Sequence, residues 1–94
     1  MIKPVLADDV RRALRAKGFR EGAAKKDHEM FHFWLDGQKT SLWVKLSHGA
    51  REIRRDEIKN NARAMHVTGE QLYNVLNCTT SPQETVALLR AALG

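Results

Sequence analysis

The spacing of apolar residues near the start of the chain predicts a first helix over Ala7–Lys17. Its inward stripe is apolar except at its last position: Val10, Ala13, Leu14 and Lys17. Three arginines fall on or beside the solvent face: Arg11, Arg12 and Arg15. Asp8 or Asp9 can cap or favour the helix N-terminus, and Gly18 stands where helices commonly end in a left-handed residue.

Alternation of apolar and polar residues predicts a hairpin after a short strand that begins at Phe19 and a loop over residues 22–26. The hairpin strands are His28–Leu35 and Lys39–Ser47, and the intervening Asp36-Gly37 is typical of a tight turn. One face is apolar, with Phe31, Phe33, Leu35, Leu42, Val44 and Leu46. The other is mixed, with His28, Met30, His32, Trp34, Ser41, Trp43, Lys45 and Ser47. We expect helices to cover the apolar face, leaving the mixed face outward or lining a groove.

Three further helices are predicted after residue 50. The first spans Arg54–His66, the second begins after the cap Thr68, and the third begins at Ser81-Pro82 and ends near Leu93. Their expected inward residues are Ile58, Ala62, Met65, Leu72, Val75, Leu76, Val86, Leu89 and Leu93. The predicted fold is α+β, a three-stranded antiparallel sheet with helices on one face and additional C-terminal helices. We expect one domain over 1–94, with its core in 7–78 and the last helix at about 82–93.

The charge of the chain suggests the kind of partner that it binds. The net charge is +5, and residues 10–63 carry fourteen Lys and Arg against seven Asp and Glu. A basic segment favours an anionic partner, most often nucleic acid. No apolar run approaches the ~20 residues that span a membrane, and the N-terminus lacks a signal-peptide pattern, so we expect a cytoplasmic protein with no membrane partner. The single cysteine, Cys78, fits a reducing compartment and is expected to be buried near a helix end.

Candidate chemistry concentrates at one end of the hairpin. The strand pairing brings His28 towards Lys45, Ser47 and His48. A histidine on a basic surface can act as general acid or base in RNA cleavage, exchanging protons with the 2′-hydroxyl or the leaving oxygen, while a lysine holds the phosphate. Further candidate nucleic-acid-binding residues are Lys25, Lys26, His32, Trp43 and Arg51. The two tryptophans of the mixed face suit base stacking and a protein interface equally well.

Motifs for metals and cofactors are absent from the sequence. His28 and His32 are four residues apart on one strand, roughly 13 Å by strand rise, and cannot share an ion. A cysteine ligand set, a P-loop and a dinucleotide fingerprint are also missing, so neither a metal nor a cofactor is expected. His66, at a helix C-terminus, is interpreted as structural.

Three short segments resemble the HicA family of toxin ribonucleases: Lys17-Gly18-Phe19, His28-x-x-Phe31 and Lys45-x-Ser47-His48-Gly49. The resemblance covers about residues 8–78, and Lys26-Asp27 stands where the family has Gly-Ser. It implies an α-β-β-β-α fold like that of double-stranded-RNA-binding domains and an endoribonuclease that cleaves mRNA. It further implies a HicB-like antitoxin as protein partner and, by the position of the strand-start histidine, His28 as the catalytic residue.

Two other functions are compatible with the sequence. One is a non-catalytic module that binds RNA or protein through the mixed face. The other is a helix-turn-helix DNA binder over 58–76, with Thr68 at the second cap. That motif departs from its usual pattern at His66, where a glycine is common, and at the polar Asn61. Its recognition helix, Gly69–Leu76, carries no Lys or Arg.

Overall fold

The computed structural model describes residues 1–22, 28–47 and 49–94. Its strands are β1 (Val5–Leu6), β2 (Phe19–Glu21), β3 (His28–Leu35), β4 (Gln38–Ser47) and β5 (Glu52–Ile53). Its helices are α1 (Ala7–Ala16), α2 (Arg55–Ala64), α3 (Gly69–Leu76) and α4 (Pro82–Leu93). The predicted α+β class and the antiparallel sheet, in the order β2-β3-β4, are confirmed. A second small sheet pairs β1 with β5 and was not predicted.

The β3–β4 hairpin turns at the predicted dipeptide. Asp36 and Gly37 both adopt positive φ, 52° and 78°, and Leu35 pairs with Gln38 on either side of them. Two left-handed residues in a two-residue loop match the twist of the flanking strands. The register shifts between His32 and Trp34, where the Thr40 hydroxyl donates to the Phe33 carbonyl at 2.6 Å.

The two faces of the sheet differ as the alternation predicts. The face that packs against the helices contributes Phe31, Phe33, Val44 and Leu46, each 0% exposed, to a cluster that also contains residues of α1, α2, α3 and α4. We call the opposite side the open face. From strand alternation and register it comprises Arg20, His28, Met30, His32, Trp34, Lys39, Trp43, Lys45 and Ser47. These side chains are half-buried or exposed.

The Lys-Gly-Phe segment after α1 has a structural explanation. The Lys17 ammonium is buried and donates to the carbonyl of Val75, near the C-terminus of α3. Gly18 adopts φ +94°, and a Cβ there would meet the Phe33 ring at 3.2 Å. A glycine is therefore required both for the backbone conformation and for the close approach of the sheet. Phe19 is buried against Phe33.

Asp8 and Asp9 lie in the first turn of α1, where acidic side chains favour the helix N-terminus as expected, while the N-cap itself is Leu6. Two other local expectations were wrong. Leu93 is 38% exposed rather than inward, and it is the last residue of α4. Cys78 is exposed rather than buried, since it occupies a left-handed position (φ 65°) just beyond α3 that turns it out of the helix.

Replacing Cys78 with glycine is expected to raise the free energy of unfolding by about 1 kcal/mol, because a left-handed backbone costs roughly that much for a residue with a Cβ. The amides of Cys78 and Thr79 donate to Val75 and Asn74, the hydrogen-bond pattern that glycine usually completes at a helix end. Urea unfolding of Cys78→Gly beside Cys78→Ser tests this. Equal stabilities of the two variants would contradict it.

Candidate functional site

His28 lies in a groove between the open face and α2. The groove has a volume of about 390 Å³ and is lined by His28, Trp43, Lys45, Ser47, Glu57, Asn60, Asn61 and Ala64. We call it the His28 groove. Of the four side chains expected to converge here, the structure brings together His28, Lys45 and Ser47, with Ser47 directly across the strand pair from His28. His48 lies outside the described residues.

The wall formed by α2 is fixed to the sheet by one buried amide. Asn61 donates to the carbonyls of Lys45 (3.1 Å) and Glu57 (2.9 Å), and its Oδ1 accepts the Lys45 N–H at 2.9 Å. The side chain thus satisfies both backbone groups of an edge-strand residue, as a neighbouring strand would. This explains a polar residue in the otherwise apolar inner stripe of α2, with only 7% of its surface exposed.

Glu57 is a functional candidate that the sequence analysis missed. It lies in the first turn of α2, where its Oε1 accepts the Arg54 N–H at 3.1 Å. Its Oε2 accepts the Ser47 hydroxyl at 3.3 Å. Because Ser47 is the cross-strand partner of His28, a carboxylate and an imidazole lie on two sides of the same serine. In the sequence, Glu57 is indistinguishable from an acidic residue that favours a helix N-terminus.

A bidentate ion pair supports the strand immediately after His28. Arg11 donates from Nε to Glu29 at 3.0 Å and from Nη2 at 2.6 Å, and its Nη1 donates to Asp8 at 2.8 Å. Hydrogen bonding to Glu29 raises the pKa of Arg11 above its ordinary value, so the guanidinium stays charged. The pair joins α1 to the start of β3 and thereby fixes the backbone that carries His28.

The other predicted nucleic-acid-binding residues lie in different places. His32 and Trp43 pair across the middle of the open face. Arg51 is exposed and lines another, larger cavity of about 1100 Å³ with Arg11 and Arg54, and Glu57 lines both cavities. Arg51 itself is not part of the His28 groove. Lys25 and Lys26 lie outside the described residues.

His32 is expected to make stability pH-dependent. Burial of its imidazole, with a smaller contribution from the charge of Lys39, lowers the pKa of His32 below 6.5. The imidazole therefore binds a proton more readily in the unfolded protein than in the folded one. Its contribution to stability is present above pH 6.5 and is lost as pH falls through the lower pKa of the folded state. The hydrogen bonds of Glu84 to Ser81 lower the pKa of that carboxyl, so the contribution of Glu84 to stability is lost only as pH falls below about 4.5.

Urea unfolding of the wild type and of His32→Gln at about pH 7 and about pH 5 checks this expectation. The wild type should lose more stability across this interval than the variant. The same loss in both proteins would show that His32 is not its source.

The helix pair required for the DNA-binding hypothesis is present. His66 adopts φ 59° between α2 and α3, so it provides the left-handed conformation for which glycine is common at this turn. The first turn of α3, which would face DNA, carries Glu70, whose carboxylate lies 3.3 Å from the N-terminal amino group. Ile2 also packs there, 2.8 Å from where a Cβ on Gly69 would lie. This end of α3 is thus partly covered by the N-terminal segment.

Within residues 1–22, 28–47 and 49–94, no cluster of three or more His, Cys, Asp or Glu side chains is arranged to bind a metal ion. The helices of these same ranges are each too short or too polar to cross a membrane. Comparisons of the chain with protein-family models, with curated proteins and with solved structures gave no match.

Proposed function

We propose that this protein is a HicA-like endoribonuclease that binds RNA on the open face and cleaves it in the His28 groove. The observation that carries the proposal is the convergence of an imidazole, an ammonium group and a carboxylate on one groove: His28, Lys45 and Glu57. The order α1, β2, β3, β4, α2 supports it, because a double-stranded-RNA-binding-domain-like fold has that order. A HicB-like antitoxin is the protein partner that the resemblance implies.

RNA cleavage by transesterification needs one group that removes a proton and another that supplies one. In the proposed reaction the 2′-oxygen forms a bond to phosphorus while the bond from phosphorus to the 5′-oxygen breaks. Glu57 takes the 2′-hydroxyl proton, and His28 gives a proton to the departing 5′-oxygen. The products are a 2′,3′-cyclic phosphate and a 5′-hydroxyl, which balances atoms and protons. Lys45 neutralises charge on the non-bridging phosphate oxygens.

The proposal is tested with purified protein and a short unstructured oligoribonucleotide, with the product ends identified by mass spectrometry. We expect 2′,3′-cyclic phosphate and 5′-hydroxyl ends, and no cleavage at a position whose nucleotide carries a 2′-deoxyribose. Intact RNA, or equal cleavage at the 2′-deoxy position, would overturn the mechanism. Induced expression in a bacterial host, followed by growth and total mRNA integrity, tests the toxin role separately.

Replacing Glu57 with glutamine is expected to slow cleavage by about a hundredfold, the lower end of what a positioned base contributes. The amide oxygen of Gln can still accept the Arg54 N–H, so α2 should keep its N-terminal hydrogen bond. Asp56→Asn, at the exposed neighbouring residue, is the matched control. Cleavage by Glu57→Gln at the same rate as by Asp56→Asn would assign the base to another group.

A further inference from the structure

The open face, on which the proposed function has RNA bind, extends beyond the His28 groove. We propose that it is a binding track for single-stranded RNA, along which unpaired bases stack before the chain enters the groove, and from which duplex RNA is excluded. The inference rests on the proposed function for its ligand, RNA, and does not depend on cleavage.

The charge of the open face complements RNA. Among the residues that the structure describes, three cations project from it, Arg20, Lys39 and Lys45, and each is exposed. Among its described residues there is no carboxylate, whereas the acidic residues of the same strands, Glu21 and Glu29, point to the helical side and pair with arginines of α1. The alternation of the strands therefore segregates charge by sign. A surface with cations alone complements a phosphate backbone.

Flat side chains form a row on the open face. Trp43 lies opposite His32, and Trp34 follows two positions along β3. The guanidinium of Arg20 lies 4.4 Å from the centre of the Trp34 ring, which holds that indole in place by a cation–π contact. Burial favours the neutral form of the His32 imidazole, which adds an uncharged ring to the row. Rings on an open strand face between cations are the means by which single strands are bound without base pairing.

The open face is continuous with the His28 groove. Trp43 and Lys45 belong both to the open face and to the His28 groove. From Trp34 to His28 the strand extends over six residue steps, about 20 Å at the usual rise per residue. One strand of RNA can therefore cover the face and place a phosphate at His28. Duplex RNA keeps its bases inside the helix and offers mainly backbone and 2′-hydroxyls, so it cannot use the rings.

Binding is measured in the His28→Ala background, so that the RNA stays intact. A fluorescein-labelled unstructured oligoribonucleotide and the same strand annealed to its complement are titrated by fluorescence anisotropy. Trp43→Ala is expected to weaken single-strand binding about tenfold or more, the loss of one base stack. Duplex binding should be weaker and should not change with this substitution.

The cations are tested by the salt dependence of binding. Removing two phosphate contacts with Arg20→Ala/Lys39→Ala should reduce the slope of log K against log salt by about 1.4, since each contact on a single strand contributes about 0.7. Lys59→Ala/Arg63→Ala is the matched control, because it removes the same charge from exposed positions of α2 outside this face. Circular dichroism and urea unfolding establish that each variant is folded.

Four outcomes separate the possibilities. Trp43-dependent binding of the single strand supports the inference, and it does so even when the wild type cleaves nothing, in which case only the proposed catalysis is wrong. Equal or tighter binding of the duplex, unaffected by Trp43→Ala, overturns it. Loss of RNA binding in Lys59→Ala/Arg63→Ala, with binding kept in Arg20→Ala/Lys39→Ala, also overturns the inference and assigns RNA binding to the helical side. Absence of RNA binding, with a protein partner whose binding requires Trp43, makes the face a protein interface and also overturns it.

Discussion

Replacing His28 with alanine is expected to lower the rate of RNA cleavage by about two to four orders of magnitude, the contribution of a positioned general acid. The imidazole lines the groove, across the strand pair from Ser47, and its buried Nδ1 has no hydrogen-bond partner among residues 1–22, 28–47 and 49–94. The other ring nitrogen is therefore the one available to a phosphate or a leaving oxygen. Alanine removes it without filling the groove.

Affinity for RNA should change little in His28→Ala, because stacking and phosphate contacts lie along the rest of the open face. Single-turnover cleavage and anisotropy with the same oligoribonucleotide measure the two effects. His66→Asn is the control histidine, since His66 is exposed between α2 and α3 and asparagine tolerates its left-handed backbone. Cleavage at the wild-type rate by His28→Ala would remove His28 from the mechanism.

Replacing Arg11 with methionine is expected to lower the free energy of unfolding by about 3 kcal/mol, the usual cost of removing one partner from a largely buried ion pair. The Arg11 and Glu29 side chains are 21% and 10% exposed, so solvent replaces little of the lost interaction. In urea unfolding, the midpoint concentration of urea should fall, while the slope of the unfolding free energy against urea concentration should stay unchanged. An increased slope would mean that the variant changes the denatured state as well.

A double-mutant cycle isolates this interaction. With Glu29→Gln as the second change, we expect a coupling energy of about 2 kcal/mol between the two side chains. Arg12 and Asp9 provide the comparison, since they form an exposed pair one turn apart on the same helix at 3.0 Å. Their coupling should be below about 0.5 kcal/mol. Similar coupling in the two pairs would show that burial of Glu29 does not strengthen the interaction.

The hairpin was predictable because the residues that specify its turn and its faces are close together in the sequence. Asp36-Gly37 specifies a two-residue turn, the turn fixes the pairing of Leu35 with Gln38, and alternation then assigns the residues of both strands to faces. The grouping of His28 with Lys45 and Ser47 follows from that register, even across the shift at Thr40. The helix starts at Thr68 and Ser81 were equally local, and both caps form as expected.

The features that the sequence did not predict depend on contacts between segments that are distant in the chain. A helical wheel places Arg11 on or beside the solvent face, and only the position of β3 supplies the carboxylate that partly buries it. In the sequence Asn61 is a polar residue within the apolar stripe of α2. Only the folded position of β4 provides the backbone N–H and carbonyl to which it hydrogen-bonds. The strands β1 and β5 have two residues each, too few for any periodicity, and pair only because the folded chain brings Val5 to Ile53.

The amide of Asn61 also makes the two edges of the sheet unequal. At Lys45 the outer edge of β4 is closed by α2, so an extended peptide from another molecule cannot continue the sheet through that point. The opposite edge is β2, which has only three residues, Phe19–Glu21. Cross-chain strand pairing, the first step of edge-to-edge aggregation and of donor-strand exchange, is thereby blocked at Lys45 on β4 and limited to three residues on β2.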